Sequence, residues 1–373
     1  MRRFGILVLT LGVAFGLIAP PASAARPAVR SMSHHDVDPS QTGPYAVGRT
    51  TFDVVDPARD NRTFKVDVWY PSRPQDVVGR SKSMIDLLLA QTPSPLAYDN
   101  PMVAPHRFPL VVFSHGSGGI RYQSWFEMEH LASHGFIVAS PDHAGNTALD
   151  ALFGSATPFA VTARNRPLDV SLVITRMLQR GETEGDAFDH HLLRRKIAVM
   201  GHSFGGFTAV AAAAGWADVP PDPRVKAIIP IAAATEGFSD AALRSISVPS
   251  LWLHGTSDIT VPIAETARAW SLLSSSPRSR VDIHKAGHSS FTNACDILDV
   301  LKNTGTPASI LSFLQQQAAE ACGPDLIPIG DAQAITKITT LAFLKVTLLH
   351  DDSYRRYLRH GFLRNYPVDL FRG

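Results

Sequence analysis

Apolar residues gather along this chain in short unbroken runs, and between the runs lie longer stretches in which apolar positions return at helical spacing. The first pattern suits a strand buried on both faces, and the second suits a helix laid against it. VGRTTFDVVDP and TFKVDVWYP flank the polar turn ARDNR, which predicts a β-hairpin. FPLVVFSHGSGG reads as a buried strand running into glycines, SWFEMEHLASHG as a helix stopped by glycine, and FIVASPDHAG as a second strand. A long loop over residues 144–164 leads to the helix RPLDVSLVITRMLQR. The pattern continues with KIAVMGHS (strand into turn), FTAVAAAAGWA (helix), RVKAIIPIAA (strand) and PSLWLHGTSD (strand into loop). ETARAWSLLSSS (helix), RVDIHKAGHSS (strand into loop) and two helices near 308–321 and 330–349 complete it. Such alternation predicts βαβ units and an α/β fold: a mostly parallel central sheet, helices on both faces and the antiparallel hairpin at one edge. No internal repeat and no linker divides residues 46–373, which read as a single domain.

The first residues depart from this pattern. Arg2 and Arg3 precede an apolar stretch from Ile6 to Ala19, followed by Ala22-Ser23-Ala24, the layout of a secretory signal peptide cleaved after Ala24. As a helix that stretch would reach roughly 21 Å, short of a hydrocarbon core of about 30 Å. The expected location is therefore periplasmic or extracellular, with residues 25–45, which lack periodicity, as a flexible mature N-terminus.

Composition is that of an ordinary globular chain, 45% hydrophobic and 18% charged. Loss of residues 1–24 removes two arginines and no acids, so the 35 basic residues become 33 and balance the 33 acidic ones. A neutral mature chain gives no reason to expect nucleic acid as partner, and a membrane surface, though left open, is not indicated. The basic end RRYLRHGFLRNYP reads as a solvated terminal helix. Cys295 and Cys322 are the only cysteines, and in an exported protein such a pair is expected to form a disulfide.

The chemistry concentrates where a predicted strand meets a predicted helix, at IAVMGHSFGGFTAV. A G-x-S-x-G pattern alone arises by chance in about one chain in eight of this length. Here it sits between strand and helix, the setting of a nucleophile elbow, with Ser203 at the tip and glycines 201 and 205 where a side chain would collide. A serine hydroxyl needs a base, and the base needs an orienting group. In this topology the acid and then the histidine follow the serine on loops after later strands. Asp258 after PSLWLHG and His288 after RVDIHKAG meet that order, whereas Asp282, His254 and His284 lie within strand runs and Asp296 comes after the histidine. Acyl transfer also needs two N–H donors for the developing oxyanion. The backbone of Phe204, just after the nucleophile, and of Ser117, in the glycine-rich turn FSHGSGG, are expected to supply them. That turn lacks G-x-G-x-x-G, so no dinucleotide is expected. Asp142 and His143, at another strand end, read as pocket-wall or hydrogen-bonding residues rather than catalytic ones, since a triad is complete elsewhere. Leu149, Leu152, Phe153, Phe159 and Val161 of the long loop are expected to line the substrate pocket in part.

VVFSHGSGG, LASHGFIVASPDHAGNT, RPLDV, GHSFGG, HGTSDITVP and AGHSSF, spread over roughly 47–295, together resemble the α/β-hydrolase superfamily. Within it the chain is most similar to bacterial predicted dienelactone-hydrolase-like proteins and platelet-activating-factor acetylhydrolases. The resemblance implies an α/β-hydrolase fold and a monomer-capable esterase for small-molecule, short-acyl esters, using Ser203, Asp258 and His288 without cofactor or metal. True dienelactone hydrolases carry cysteine as nucleophile; Ser203 in its place favours ordinary esters. A lipase, polyester hydrolase or serine peptidase on the same fold stays open, as does a non-catalytic secreted binding protein. Activity is expected to fall on acidification, since an imidazolium at His288 cannot accept the serine proton.

A Cys295–Cys322 bridge would close a loop of 28 residues, a constraint of about 3.6 kcal/mol by chain entropy. Reduction is therefore expected to lower the thermal unfolding midpoint, and equal midpoints with and without reductant would contradict the assignment.

Overall fold

The computed structural model describes residues 37–87 and 89–373. The expected signal peptide and residues 25–36 of the expected flexible segment lie outside them. Eleven strands form one sheet in the order β11-β10-β9-β8-β7-β5-β6-β2-β1-β4-β3. Six central strands are parallel: β5 (Phe108–Ser114), β6 (Ile137–Pro141), β7 (Leu192–His202), β8 (Ala227–Ile231), β9 (Ser250–Gly255) and β10 (Arg278–Ile283). The predicted hairpin is β1 (Ala46–Asp56) with β2 (Arg62–Ser72), antiparallel, and β2 joins it to β6.

The apolar runs are sorted by the pleat. Val111, Phe113, Ala198, Met200, Leu251 and Leu253 enter a core on one face, and Leu110, Val112, Ile197, Val199 and Trp252 enter the core on the other. The first core is covered by α1 (Trp125–Ser133) and a later helix, Ile329–Leu348. The second is covered by α3 (Phe159–Arg180), α4 (Phe204–Ala214) and α6 (Ile263–Leu272). Short helices α2 (Ala148–Leu152) and α5 (Asp240–Arg244) lie in the loops, and α7 (Ala294–Leu301) and α8 (Ala308–Cys322) follow β10 ahead of α9, the helix Ile329–Leu348.

Four features differ from the sequence expectations. Residues 37–45, expected to be mobile, are anchored on the end of α1: Gly43 N donates to Ser133 Oγ, Tyr45 N to Ser133 O, and the Tyr45 ring meets Phe108 edge-on. Strand β4 (Gln91–Asp99) lies between β1 and the edge strand β3 (Lys82–Asp86), and neither is expected from the sequence because Pro93 and Pro95 break the strand pattern. Both prolines fall outside Ala97–Asp99, the part of β4 that pairs with β1, so on that side they interrupt no ladder. The loop expected over 144–164 holds α2 and the first turns of α3, which runs through Pro167 rather than starting beside it. The basic end is not a solvated helix throughout. Its arginines are exposed, but Tyr357, Leu358 and Leu363 are buried, and the chain closes with edge strand β11 (Val368–Arg372) on β10.

Between α1 and α9, buried Glu127 accepts a hydrogen bond from Thr340 Oγ1 at 2.5 Å. Burial raises its carboxyl to about 7, against the Thr340 bond and the charge of Lys337. With the folded value above the ordinary 4.5, the native state keeps a proton that the unfolded chain gives up between about 4.5 and 7. The stability present at low pH is therefore lost as pH rises through about 7. Glu127→Gln is expected to be more stable than wild type at pH 8, by on the order of 2 kcal/mol, and nearly equal to it at pH 5. Thermal melts at the two pH values check this, and a pH-independent difference would contradict it.

Candidate active site

Strand β7 ends at His202 and α4 starts at Phe204, which leaves Ser203 alone at the turn. Its backbone stands at φ 58° and ψ −118°, a strained setting for a residue with a side chain. The strain persists because the turn is wedged between neighbours. A Cβ on Gly201 would collide with the Gly205 carbonyl, one on Gly205 with the Ser114 carbonyl, and one on Gly206 would stand 2.7 Å from Ala233 Cβ. The Ser203 N–H donates to Ile231 O at 2.8 Å, and the residue is half-buried. As first residue of α4, Phe204 has an N–H with no carbonyl to meet inside its own helix.

Asp258 and His288, on the loops after β9 and β10, come together. His288 Nδ1 lies 2.8 Å from Asp258 Oδ2, so the ring donates there and turns its Nε2 lone pair outward. The other oxygen, Oδ1, accepts from Thr260 N at 2.9 Å and Val261 N at 2.8 Å. His254, expected to be a satisfied core residue, is fully buried, donates to Val261 O, accepts from Thr266 Oγ1 and also flanks Asp258 Oδ2 at 3.3 Å. Burial acts to raise the Asp258 carboxyl, but hydrogen bonds from His254 and His288 and the Val261 N–H outweigh it and hold the group well below the carboxylate range. Among the described residues Ser203 Oγ makes no hydrogen bond to His288. The His288 ring stands 4.7 Å from that of His202, next in chain to Ser203.

The turn after β5 lies beside the elbow because β5 and β7 are neighbours, with Ser114 opposite Gly201. A chain of hydrogen bonds ties this turn to His288. Gly116 N donates to Gln123 Oε1 at 3.0 Å, Gln123 Nε2 to His202 Nδ1 at 3.1 Å, and His202 Nε2 to His288 O at 2.8 Å. Burial, and then the charge of His288, pushes His202 down to about 3, so the ring is neutral, as this donor–acceptor pattern requires. His202, which fills the first open position of G-x-S-x-G, is thus a cross-link, and nothing in a single chain distinguishes it from a spacer.

A second serine–histidine–aspartate relay lies beneath. Ser114 Oγ donates to His143 Nε2 at 2.9 Å, and His143 Nδ1 donates to Asp169 Oδ2 at 2.9 Å. Ser114, His143 and Asp169 are fully buried, so no substrate reaches them. Burial first, and then Arg166, lowers His143 to about 4. Its neighbour Asp142 pairs with Arg121 at 2.7 Å. Both strand-end residues therefore take the hydrogen-bonding duty that was one of the two expected of them.

A groove of 620 Å³ runs from Gly118 between α2 and α8, lined by Ile120, Leu149, Leu152, Phe153 and Phe313 among others. Phe159 lines a different hollow, with Trp216 and Phe238, and stacks on Phe204 at 5.2 Å; Val161 is exposed and lines neither. Cys295 and Cys322 are bridged, which ties α7 to the end of α8. That end abuts the turn that carries His288: Ser289 Oγ donates to Gln317 Oε1 at 3.2 Å and Ser290 Oγ to Ala321 O at 3.3 Å. Among the described residues no three His, Cys, Asp or Glu side chains are grouped to hold a metal ion, and no helix is long and apolar enough to cross a membrane.

Comparison with known proteins bears on this geometry. The family described as platelet-activating factor acetylhydrolase, isoform II, matches residues 74–161, which include the turn after β5 but end before Ser203. Ferulic acid esterase from Streptomyces cinnamoneus superimposes with a TM-score of 0.64 at 25% identity, over 82% of this chain and 91% of that one. The chain has the α/β-hydrolase fold. Among curated relatives, the platelet-activating factor acetylhydrolase of Cavia porcellus is 28% identical over 229 residues, 47% of this chain and 52% of the relative. That of Bos taurus is 26% identical over 233 residues, 46% and 51% of the two chains. The chain thus spans about half the length of the curated relatives it matches.

His202→Phe keeps a ring in place but leaves the His288 carbonyl and the Gln123 amide unpaired, at about 1–3 kcal/mol for each buried group. The variant is expected to unfold several degrees lower than wild type, and an unchanged midpoint in a thermal melt would contradict the cross-link.

Proposed function

We propose that this hydrolase is a serine carboxylesterase for short-acyl esters that works through an acyl-enzyme on Ser203. The observation that carries the proposal is the pairing of His288 Nδ1 with Asp258 beside an elbow that presents a strained, half-buried serine. In this reading Asp258 fixes the tautomer of His288, and Nε2 takes the Ser203 proton as Oγ attacks the acyl carbon. The oxyanion forms against the N–H groups of Ser117 and Phe204. His288 then returns the proton to the leaving alcohol, and water, activated by the same nitrogen, releases the acid. The names of the relatives support ester hydrolysis, and the apolar groove beside Gly118 supports an apolar acyl or alcohol group. We also infer export, since the signal-like start of the chain and the Cys295–Cys322 bridge both fit an oxidising compartment.

A hydrolysis panel tests the proposal: acetyl to long-acyl esters, a feruloyl ester, an acetylated phospholipid and an amide. Wild type is expected to prefer short acyl esters over the amide, and Ser203→Ala to lose on the order of 10⁵- to 10⁶-fold in kcat. A folded Ser203→Ala protein with wild-type activity would refute the nucleophile. Leu152→Ala and Phe153→Ala are expected to shift the chain-length profile, and an unchanged profile in both would remove the groove from substrate binding.

A further inference from the structure

Arg166, on α3, has no exposed surface. Asp169, one turn on, is occupied by Arg59, Arg62 and His143 and does not pair with it. Burial brings the guanidinium down to about 9, with some help upward from Asp169, so at neutral pH the buried group keeps its charge. A charge is kept in such a place only where its donors are satisfied. Here they are satisfied by the turn after β5 and by one amide that faces it. Nη1 donates to His115 O at 2.6 Å and Ser114 Oγ at 3.2 Å, and Nη2 to Gly116 O at 2.9 Å. Nε and Nη2 both donate to Asn146 Oδ1, at 3.1 and 2.7 Å.

One peptide in that turn is held more tightly than the rest. The Gly116 carbonyl accepts from Arg166 Nη2, from His115 Nδ1 at 2.7 Å and from Gly119 N at 3.2 Å. A trans peptide unit points its C=O and its N–H in opposite directions. Holding the Gly116 oxygen inward therefore turns the Ser117 N–H outward, and among the described residues that N–H meets no acceptor. The guanidinium also covers the ring of Phe204, 4.6 Å from its centroid, and Phe204 carries the second open N–H.

We propose that Arg166 is the positioning residue of the oxyanion-binding pair: it grips the back of the Ser117 peptide and the ring of Phe204, and so sets the aim of both N–H groups. This assignment rests on Ser203 being the nucleophile. Lysine keeps the charge but gathers its donors on one atom, and it cannot span two carbonyls and an amide at once.

The test uses the full chain and a short-chain chromogenic ester, with Ser203→Ala alongside. If wild type does not hydrolyse the ester, the nucleophile falls and this assignment with it. With an active wild type, folded Arg166→Lys is expected to lose about 10²-fold in kcat with KM within about threefold of wild type. It is expected to bind an alkylboronic acid, which sets a tetrahedral oxygen at the oxyanion position, more weakly by a similar factor. A purely structural role would lower the melting midpoint and leave kcat and boronate binding as they are, which overturns the proposal. Should Arg166→Lys fail to fold, Asn146→Ala decides, because it removes the acceptor of two guanidinium hydrogen bonds. A fall of about tenfold in kcat with KM unmoved supports the proposal, and a wild-type kcat overturns it.

Discussion

The α-carbon of Gly205 packs against the carbonyl of Ser114 so closely that no Cβ fits between them. That contact lets helix α4 cross the end of β5, and it follows from two neighbouring parallel strands with Ser114 opposite Gly201. It brings two stretches of main chain, 116–117 and 203–204, to the same crevice, at the carboxyl edge where such sheets carry their sites. The loops after β9 and β10 reach the crevice from the other side with Asp258 and His288. Were α4 lifted by the width of a methyl group, the serine and both N–H groups would be carried away from them.

Around this contact the protein builds a polar framework that never meets substrate. Gln123 and His202 join the turn after β5 to His288, and Arg166, His143 and Asp169 hold the same turn from below. Burial pushes His115, His143 and His202 far down, so these rings are neutral hinges with fixed tautomers rather than titrating groups. Each ring donates from one nitrogen and accepts at the other, which gives the framework a direction: every carbonyl receives and every N–H gives. Such a network resists partial disruption, because one broken link leaves two buried groups unpaired.

The unbroken apolar runs of the central strands were legible in the chain because a strand buried on both faces needs nothing else. Asp258 and His288 could be named because residues that follow strand ends must arrive at one edge of a parallel sheet, and the structure sets them 2.8 Å apart. The prolines of β4 and the short β11 carry too little periodicity to be read. His202, Gln123 and Arg166 could not be found from order along the chain, since their partners lie far away in sequence and are chosen by packing. Arg166 and Asp169, three apart on one helix, were a faint hint of a buried polar face. So were the many histidines near strand ends.

The backbone angles at Ser203 also decide which amino acids can stand there. At φ 58° a branched Cβ would press its second substituent against the adjoining peptide units. Threonine carries the same hydroxyl and is the nearest chemical substitute, yet the fold excludes it on shape alone. Cysteine, unbranched, fits. The geometry that presents an oxygen to the crevice thus confines this position to residues whose Cβ is unbranched, whatever chemistry they carry.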